Sequence, residues 1–468
     1  MKPIVLPEIS HKKDYNVLDP LDCRYFDAEV AKYLSEESRI AYQAHVEAAL
    51  AQTLADFKIC TQAVADEIEV SARKVSADEV YKQEEVTKHD IKALVNVIKS
   101  RISDQAKPYV HYGATSNDII STATALQMRD VTQQVVIPRL RELLQTLLRL
   151  SEQYASTVQI GRTHGQHAVP ITFGFAMAEY VSRLGNSMAA IQGLSEELKG
   201  KFSGAVGAYN ALSIFIDDPI KFEETLLAKL KIQPAPYSTQ IVPPEFLIRL
   251  IDELAITSGI MANLSHDMRH LQRSEIAEVR ERFEKGQTGS STMAHKRNPI
   301  NFENVISMNK QVVAQTVNAI QNISSEHQRD LTDSASIRFY SLVPAIIASM
   351  TKRLDRVMQK IEVDDEAMQR NLKLSGGAIA AEPLYLLFEK YGHTAAHEKV
   401  KELAHKALSQ GKPLIQLLKN DKEAFSYWNR FTFEERKIIE RPEKYYTGLA
   451  EKKSLMIIGH WQKIIGKK

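Results

Sequence analysis

The chain has 468 residues, more than one hydrophobic core sustains, so two or three domains are expected. Its 60 basic and 58 acidic side chains leave a net charge of +2, which gives no electrostatic reason for a nucleic-acid or anionic-membrane partner. Two cysteines, Cys23 and Cys60, exclude a disulfide framework and point to a reducing compartment. The opening residues, broken by Pro3, Pro7 and Glu8, lack the apolar run of a signal peptide, and no uncharged stretch is long enough to span a bilayer. The expectation is a cytoplasmic, soluble protein.

Helical periodicity then dominates. An N-terminal block of shorter helices ends near Lys107-Pro108. Long helices are predicted from about Leu126 to Tyr154, with a kink at Pro138, and from Phe173 to Leu198. Extended chain is expected around Val206 to Ile216. From Pro244 to Arg282, Leu247, Leu250, Leu254, Met261, Leu264, Met268 and Leu271 recur at spacings of three, four and seven, a narrow seam suited to a bundle. Two more long helices follow, Phe302 to Ile323 and Leu342 to Ile361. Gly376-Gly377, Gly411 and Pro413 break the remainder into shorter pieces. The expected domains are 1–110, 111–362 and 363–468. Seams of this kind also suit association between subunits.

Between two of the long helices lies Lys285-Gly286-Gln287-Thr288-Gly289-Ser290-Ser291-Thr292-Met293-Ala294-His295-Lys296-Arg297-Asn298-Pro299. Its composition fits a flexible connector, with Asn298 as a helix N-cap and Pro299 at the first helical position. Gly161-Arg162-Thr163-His164-Gly165-Gln166-His167 places two histidines just before a helical segment. No Cys, His or carboxylate set at ligand spacing accompanies them, which argues against a metal site. Thr87-Lys88-His89-Asp90 reads as a helix cap, with Thr87 at the N-cap and Asp90 three residues on. His111-Tyr112-Gly113-Ala114-Thr115-Ser116-Asn117-Asp118 reads as a helix start, whose free amides suit an anion.

Taken together, these segments resemble the fumarase/aspartase superfamily, and within it the adenylosuccinate lyases. GSSTMAHKRNP is similar to the superfamily signature GSSxMPxKxNP, with Ala294 where proline is usual. Asp22-Cys23-Arg24-Tyr25 resembles an Arg-Tyr element of the family, with Cys23 in place of its glycine, and Thr87 to Ile91 resembles its Thr-x-His-Asp-Val motif. Ser203 to Asn210, Ser238-Thr239-Gln240-Ile241 and Gln328 to Arg338 resemble further segments of that family.

The resemblance implies Ser290 as general base and His164 as general acid. Substrate contacts would come from Arg24, Tyr25, Lys88, His89, Asp90, Thr115, Ser116, Gln240, Ser291, Lys296, Asn298 and Asn304, with Arg329, Ser334 and Arg338 on a nucleotide phosphate. Such residue types suit the chemistry. Proton loss next to a carboxylate builds a dianion that needs cations and donors, imidazole suits a near-neutral acid, and guanidinium forks suit phosphate. The implied fold is all-α, a three-domain fumarase/aspartase-like chain whose central long-helix bundle is completed by tetramerisation. The implied activity is elimination of fumarate from adenylosuccinate and from SAICAR in a homotetramer with active sites shared between subunits, without metal or organic cofactor. Argininosuccinate lyase or a cycloisomerase would keep Ser290 and Lys296 but have no use for the phosphate element, and intact candidates for base, acid and phosphate site argue against a non-catalytic lens-type scaffold.

Overall fold

A computed structural model describes residues 1–9, 16–283, 286, 292–293 and 295–466. The chain is 64% helical, in agreement with the all-α expectation. None of the helices is long and apolar enough to cross a membrane, among the residues described.

Six helices of 17 residues or more dominate the described residues: Glu36–Asp56, Ile137–Gln153, Phe173–Glu196, Glu245–Leu271, Ile300–Gln321 and Leu342–Met358, the first of them longer than expected for the N-terminal block. The seam on Glu245–Leu271 is real, with Leu250, Leu254, Met261, Leu264 and Met268 all buried. That helix stops with its last apolar seam residue rather than at Arg282. Beyond it the sequence turns polar, Ala277 adopts a left-handed φ of 55°, and Val279–Arg280 pairs antiparallel with Glu362–Val363.

The break expected at Pro138 takes a specific form. The helix Ser116–Val131 passes into a π-helical turn, Thr132–Val136, before Ile137–Gln153 continues, and the Ile137 amide donates to the Thr132 carbonyl. A wider turn just ahead of a proline accommodates its missing donor and its ring without ending the helix.

Extended chain lies elsewhere than expected. Val206 to Ile216 forms turns and a short 3₁₀ segment, Leu212–Ile214, because Gly204 and Gly207 take positive φ. The longest strands are Val158–Thr163 and Gln166–Thr172, which form an antiparallel hairpin.

The chain divides into two compact units, each built from three stretches: Met1–Leu140, Ser187–Gly259 and Ser307–Lys352, and then Arg141–Asn186, Ile260–Ile306 and Arg353–Lys468. The first has the buried helix Glu36–Asp56 at its centre, packed by Gln62–Ala72, Ser116–Val131 and Pro219–Lys229. The second holds the hairpin and the short C-terminal helices. There Leu384, Phe388, Val400, Leu403, Leu418, Trp428 and Phe431 form one apolar cluster. Gly411, left-handed at φ 61°, ends Ala396–Gln410 as its sequence position suggested.

Candidate active site

In the first unit, the site segments are fixed from below by buried charge. Asp118 lies in the first turn of Ser116–Val131, and one carboxylate oxygen accepts from the Thr115 amide at 2.9 Å. Its other oxygen accepts from the Lys201 ammonium and from the amides of Ser203 (3.1 Å) and Gly204 (3.2 Å). Both charged side chains are fully buried. Lys201 also donates to the Gly204 carbonyl at 3.1 Å. Both oxygens of the carboxylate are hydrogen-bonded and the ammonium has a second acceptor, the kind of compensation a buried ion pair needs. Thr115 and Ser116 are thereby locked to the loop 203–210.

That loop carries the next segment. Ser203 and Ser238 share a hydroxyl hydrogen bond of 2.7 Å, and Gly207 comes so close to the Ser238 carbonyl that a Cβ would sit 2.1 Å from it. The Gln240 amide donates to the Gln328 carbonyl at 3.2 Å, so the Gln240 segment meets the one containing Arg329. Arg329 is ion-paired to Asp333, and Asp330 accepts from the Thr332 hydroxyl and from the amides of Thr332 (2.8 Å) and Glu326 (2.9 Å), which together hold its carboxyl down at about 2. Ser334 and Arg338 are exposed, with the Ser334 hydroxyl donating to the Leu331 carbonyl at 2.9 Å.

Arg24 is exposed and Tyr25 half-buried, beyond a 3₁₀ turn at Pro20–Asp22. Asp27 anchors the stretch by capping Ala28–Leu34 and pairing with Arg139 (2.9 Å) and Lys352 (3.1 Å). Burial pushes the Asp27 carboxyl up, but the two cations outweigh it and hold it at about 2.

The cap at Thr87–Asp90 is shifted by two residues from the sequence reading. Thr87 ends Ala77–Thr87, Lys88 is its left-handed C-cap at φ 52°, and His89 is the N-cap of Asp90–Lys99. Its Nδ1 accepts from the Lys92 amide at 3.2 Å, because an imidazole nitrogen can replace the usual cap oxygen. Lys88 and His89 are exposed and Asp90 is half-buried.

In the second unit, His164 is not at a helix entrance. With Gly165 it forms the two-residue turn of the hairpin, at φ 54° and 74°, and it is exposed. Two successive positive φ angles are what a tight hairpin turn demands. The root of the hairpin is fixed by Glu278, fully buried, which takes Arg162 at 2.6 and 3.2 Å, Gln159 at 2.8 Å and Asn371 at 2.7 Å. Burial and the Arg162 charge push the second histidine, His167, below its ordinary pKa.

Ser290 and Ser291 lie outside the described residues, as does Ala294. The base of their loop is clasped. Before it, the Glu281 amide donates to the Gln272 side chain at 2.9 Å; after it, Gln272 donates to the Arg297 carbonyl at 3.2 Å. Buried Glu281 also caps the following helix, accepting from the amides of Asn301 (2.9 Å) and Phe302 (3.0 Å) and from the Asn301 side chain (2.7 Å). This helix begins at Ile300, one residue later than read, and the Pro299 carbonyl accepts from Glu303 at 3.0 Å. Lys296 is exposed, whereas Asn298 and Asn304 are half-buried.

Sequence reading missed Lys201, Glu278 and Glu281, the charges that hold these segments. Glu281 alone carried a signal, an acidic residue ahead of a helix start.

Comparison with known proteins agrees along the chain. Residues 25–314 match a family model described as lyase, and residues 325–426 match one described as adenylosuccinate lyase C-terminal. An adenylosuccinate lyase of Pyrococcus abyssi is 36% identical over 87% of this chain and 91% of its own length. That of Archaeoglobus fulgidus is 33% identical over 92% of this chain and 95% of its own. The crystal structure of a fumarate lyase from Mesorhizobium sp. BNC1 shares the fold, with a TM-score of 0.82 at 23% identity, covering 93% of this chain and 98% of that one. The protein belongs to the adenylosuccinate lyase family.

Proposed function

We propose that the protein is an adenylosuccinate lyase, releasing fumarate from adenylosuccinate to leave AMP and from SAICAR to leave AICAR. The carrying observation is the match to enzymes of that name along 87% of the chain at 36% identity. The site chemistry supports it. The reaction removes a proton from the carbon beside a carboxylate and then expels nitrogen. Lys296, exposed beyond the clasp, supplies positive charge where the dianion forms. His164, on its hairpin tip, protonates the leaving nitrogen, and Ser290 removes the proton. Thr115 and Ser116 receive a carboxylate; Arg329, Ser334 and Arg338 receive the phosphate, next to Gln240. Arg24, Tyr25, Lys88, His89, Asp90, Ser291, Asn298 and Asn304 complete the substrate contacts.

A homotetramer with shared sites belongs to the same reading. Val313, Val317 and Ile320 are exposed at spacings of four and three along the end of Ile300–Gln321, with exposed Ile323 just beyond it, an apolar stripe suited to another helix. Such an enzyme of nucleotide metabolism acts in the cytoplasm, as the two unpaired cysteines suit.

The test is fumarate release from adenylosuccinate, with argininosuccinate as the contrasting substrate. Release from adenylosuccinate alone is expected. Release from argininosuccinate alone sinks the assignment. Arg329→Ala should raise KM for adenylosuccinate about tenfold or more with a smaller change in kcat, since it serves binding.

A further inference from the structure

One charged pair beside the site belongs to none of the functions above. Glu47, in the middle of Glu36–Asp56, is 1% exposed, and its Oε1 lies 2.6 Å from Nδ1 of His111. Its Oε2 is buried without a hydrogen-bond partner among the described residues, and His111 is its one ion-pair partner among them. Taking a carboxylate this far out of water is costly unless it is paired, and the His111 imidazole is the partner at hand.

The ring is held firmly in place. His111 takes a left-handed φ of 62°, strained for a residue with a Cβ. Gly113 follows at φ 77°, where a Cβ would come 2.7 Å from the Phe215 ring, and the Tyr112 ring packs on Phe215 at 4.4 Å. The next fixed point is the Thr115 amide on Asp118. Strain of this kind persists where the surroundings over-determine a conformation.

We propose that Glu47 is a positioning residue of the site: it binds Nδ1 of His111 and keeps the ring charged, so that Nε2–H faces the substrate as a cationic donor for an anionic group. Other charges bear on the ring as well. Asp118, on Ser116–Val131, reinforces Glu47 but is itself neutralised by Lys201; Lys99, on Asp90–Lys99, opposes it. Burial lowers the His111 pKa, and the carboxylates more than offset that, leaving it above its ordinary value. The charged form is therefore present at low pH and lost as pH rises through that raised value.

The role in catalysis rests on the lyase reading; the pairing does not. Glu47→Gln keeps the shape and an acceptor for Nδ1–H but removes the charge. In the variant, kcat/KM should fall about tenfold or more, and its alkaline limb should move to lower pH. The His111 ring resonance, assigned by its loss in His111→Gln, should titrate at lower pH in the same protein. In a His111→Gln background, Glu47→Gln should cost nothing further. An unmoved ring titration overturns the proposal, and so does an equal loss in the His111→Gln background. Glu47→Asp keeps the charge and should retain the wild-type pH profile; a profile displaced to lower pH there also overturns it, even if Glu47→Gln fails to fold. Should the wild type release no fumarate, the lyase reading fails and the ring titrations of wild type, Glu47→Gln and Glu47→Asp still decide the pairing.

Discussion

The segment 111–118 and the hairpin tip at His164-Gly165 both carry proposed site residues at positive φ, yet they are held in contrasting ways. The first rests on two buried carboxylates that touch it directly: Glu47 under His111, and Asp118 under the Thr115 amide. In the second, Glu278 grips Arg162, two residues short of His164, and the turn itself shapes His164. A binding element held from directly beneath has one geometry. A histidine on a tip, as the proposed proton donor is, can adjust its ring while the strands below it stay still. The two elements thus differ in how closely they are held, by where the buried charge sits.

The contrast can be broken most forcefully at Asp118. Asp118→Ala strands a buried lysine and three amides, and should cost about 3–5 kcal/mol in urea unfolding. A loss under 1 kcal/mol would mean that the loop 203–210 is held by something else. Next comes Glu278→Ala, which leaves the Arg162, Gln159 and Asn371 donors without their acceptor. About 2–4 kcal/mol of stability should go with it, together with a fall in kcat exceeding any rise in KM if His164 is the acid proposed above. Equal changes in both would erase the distinction drawn here. The smallest effect is expected from Gly165→Ala. A Cβ there meets nothing within 4 Å, so the cost is only that of a left-handed alanine, about 1 kcal/mol, read as a Tm drop of a few degrees. A larger loss would show that the tip is packed more tightly than its exposure suggests.

Legibility in the sequence followed physical locality. The seam from Leu247 to Leu271 could be read because a helix writes its buried face at fixed spacing, whereas the helix ends at Leu271, well short of the expected Arg282. The hairpin was missed although Val158, Ile160, Val169, Ile171 and Thr172 favour strands and His164-Gly165 suits its turn. Gly161, Pro170 and the helix immediately following masked the alternation. Motif residues such as Thr115 and Gln240 could be named because they resemble a family pattern. Their supports could not, since Lys201 meets Asp118 across 83 residues and Glu47 meets His111 across 64. Pairings of that range leave no local spacing to read.

The interleaving of the two compact units has its own consequence. Each of the five boundaries between their stretches falls inside one of the long helices. No single pair of cuts releases either unit, and any truncation there exposes the ends of a severed helix. During synthesis the first unit is not complete until Lys352 has left the ribosome. For this protein, assembly is a late and collective event, and fragments meant to carry half the molecule should be sought by circular permutation at surface turns rather than by truncation.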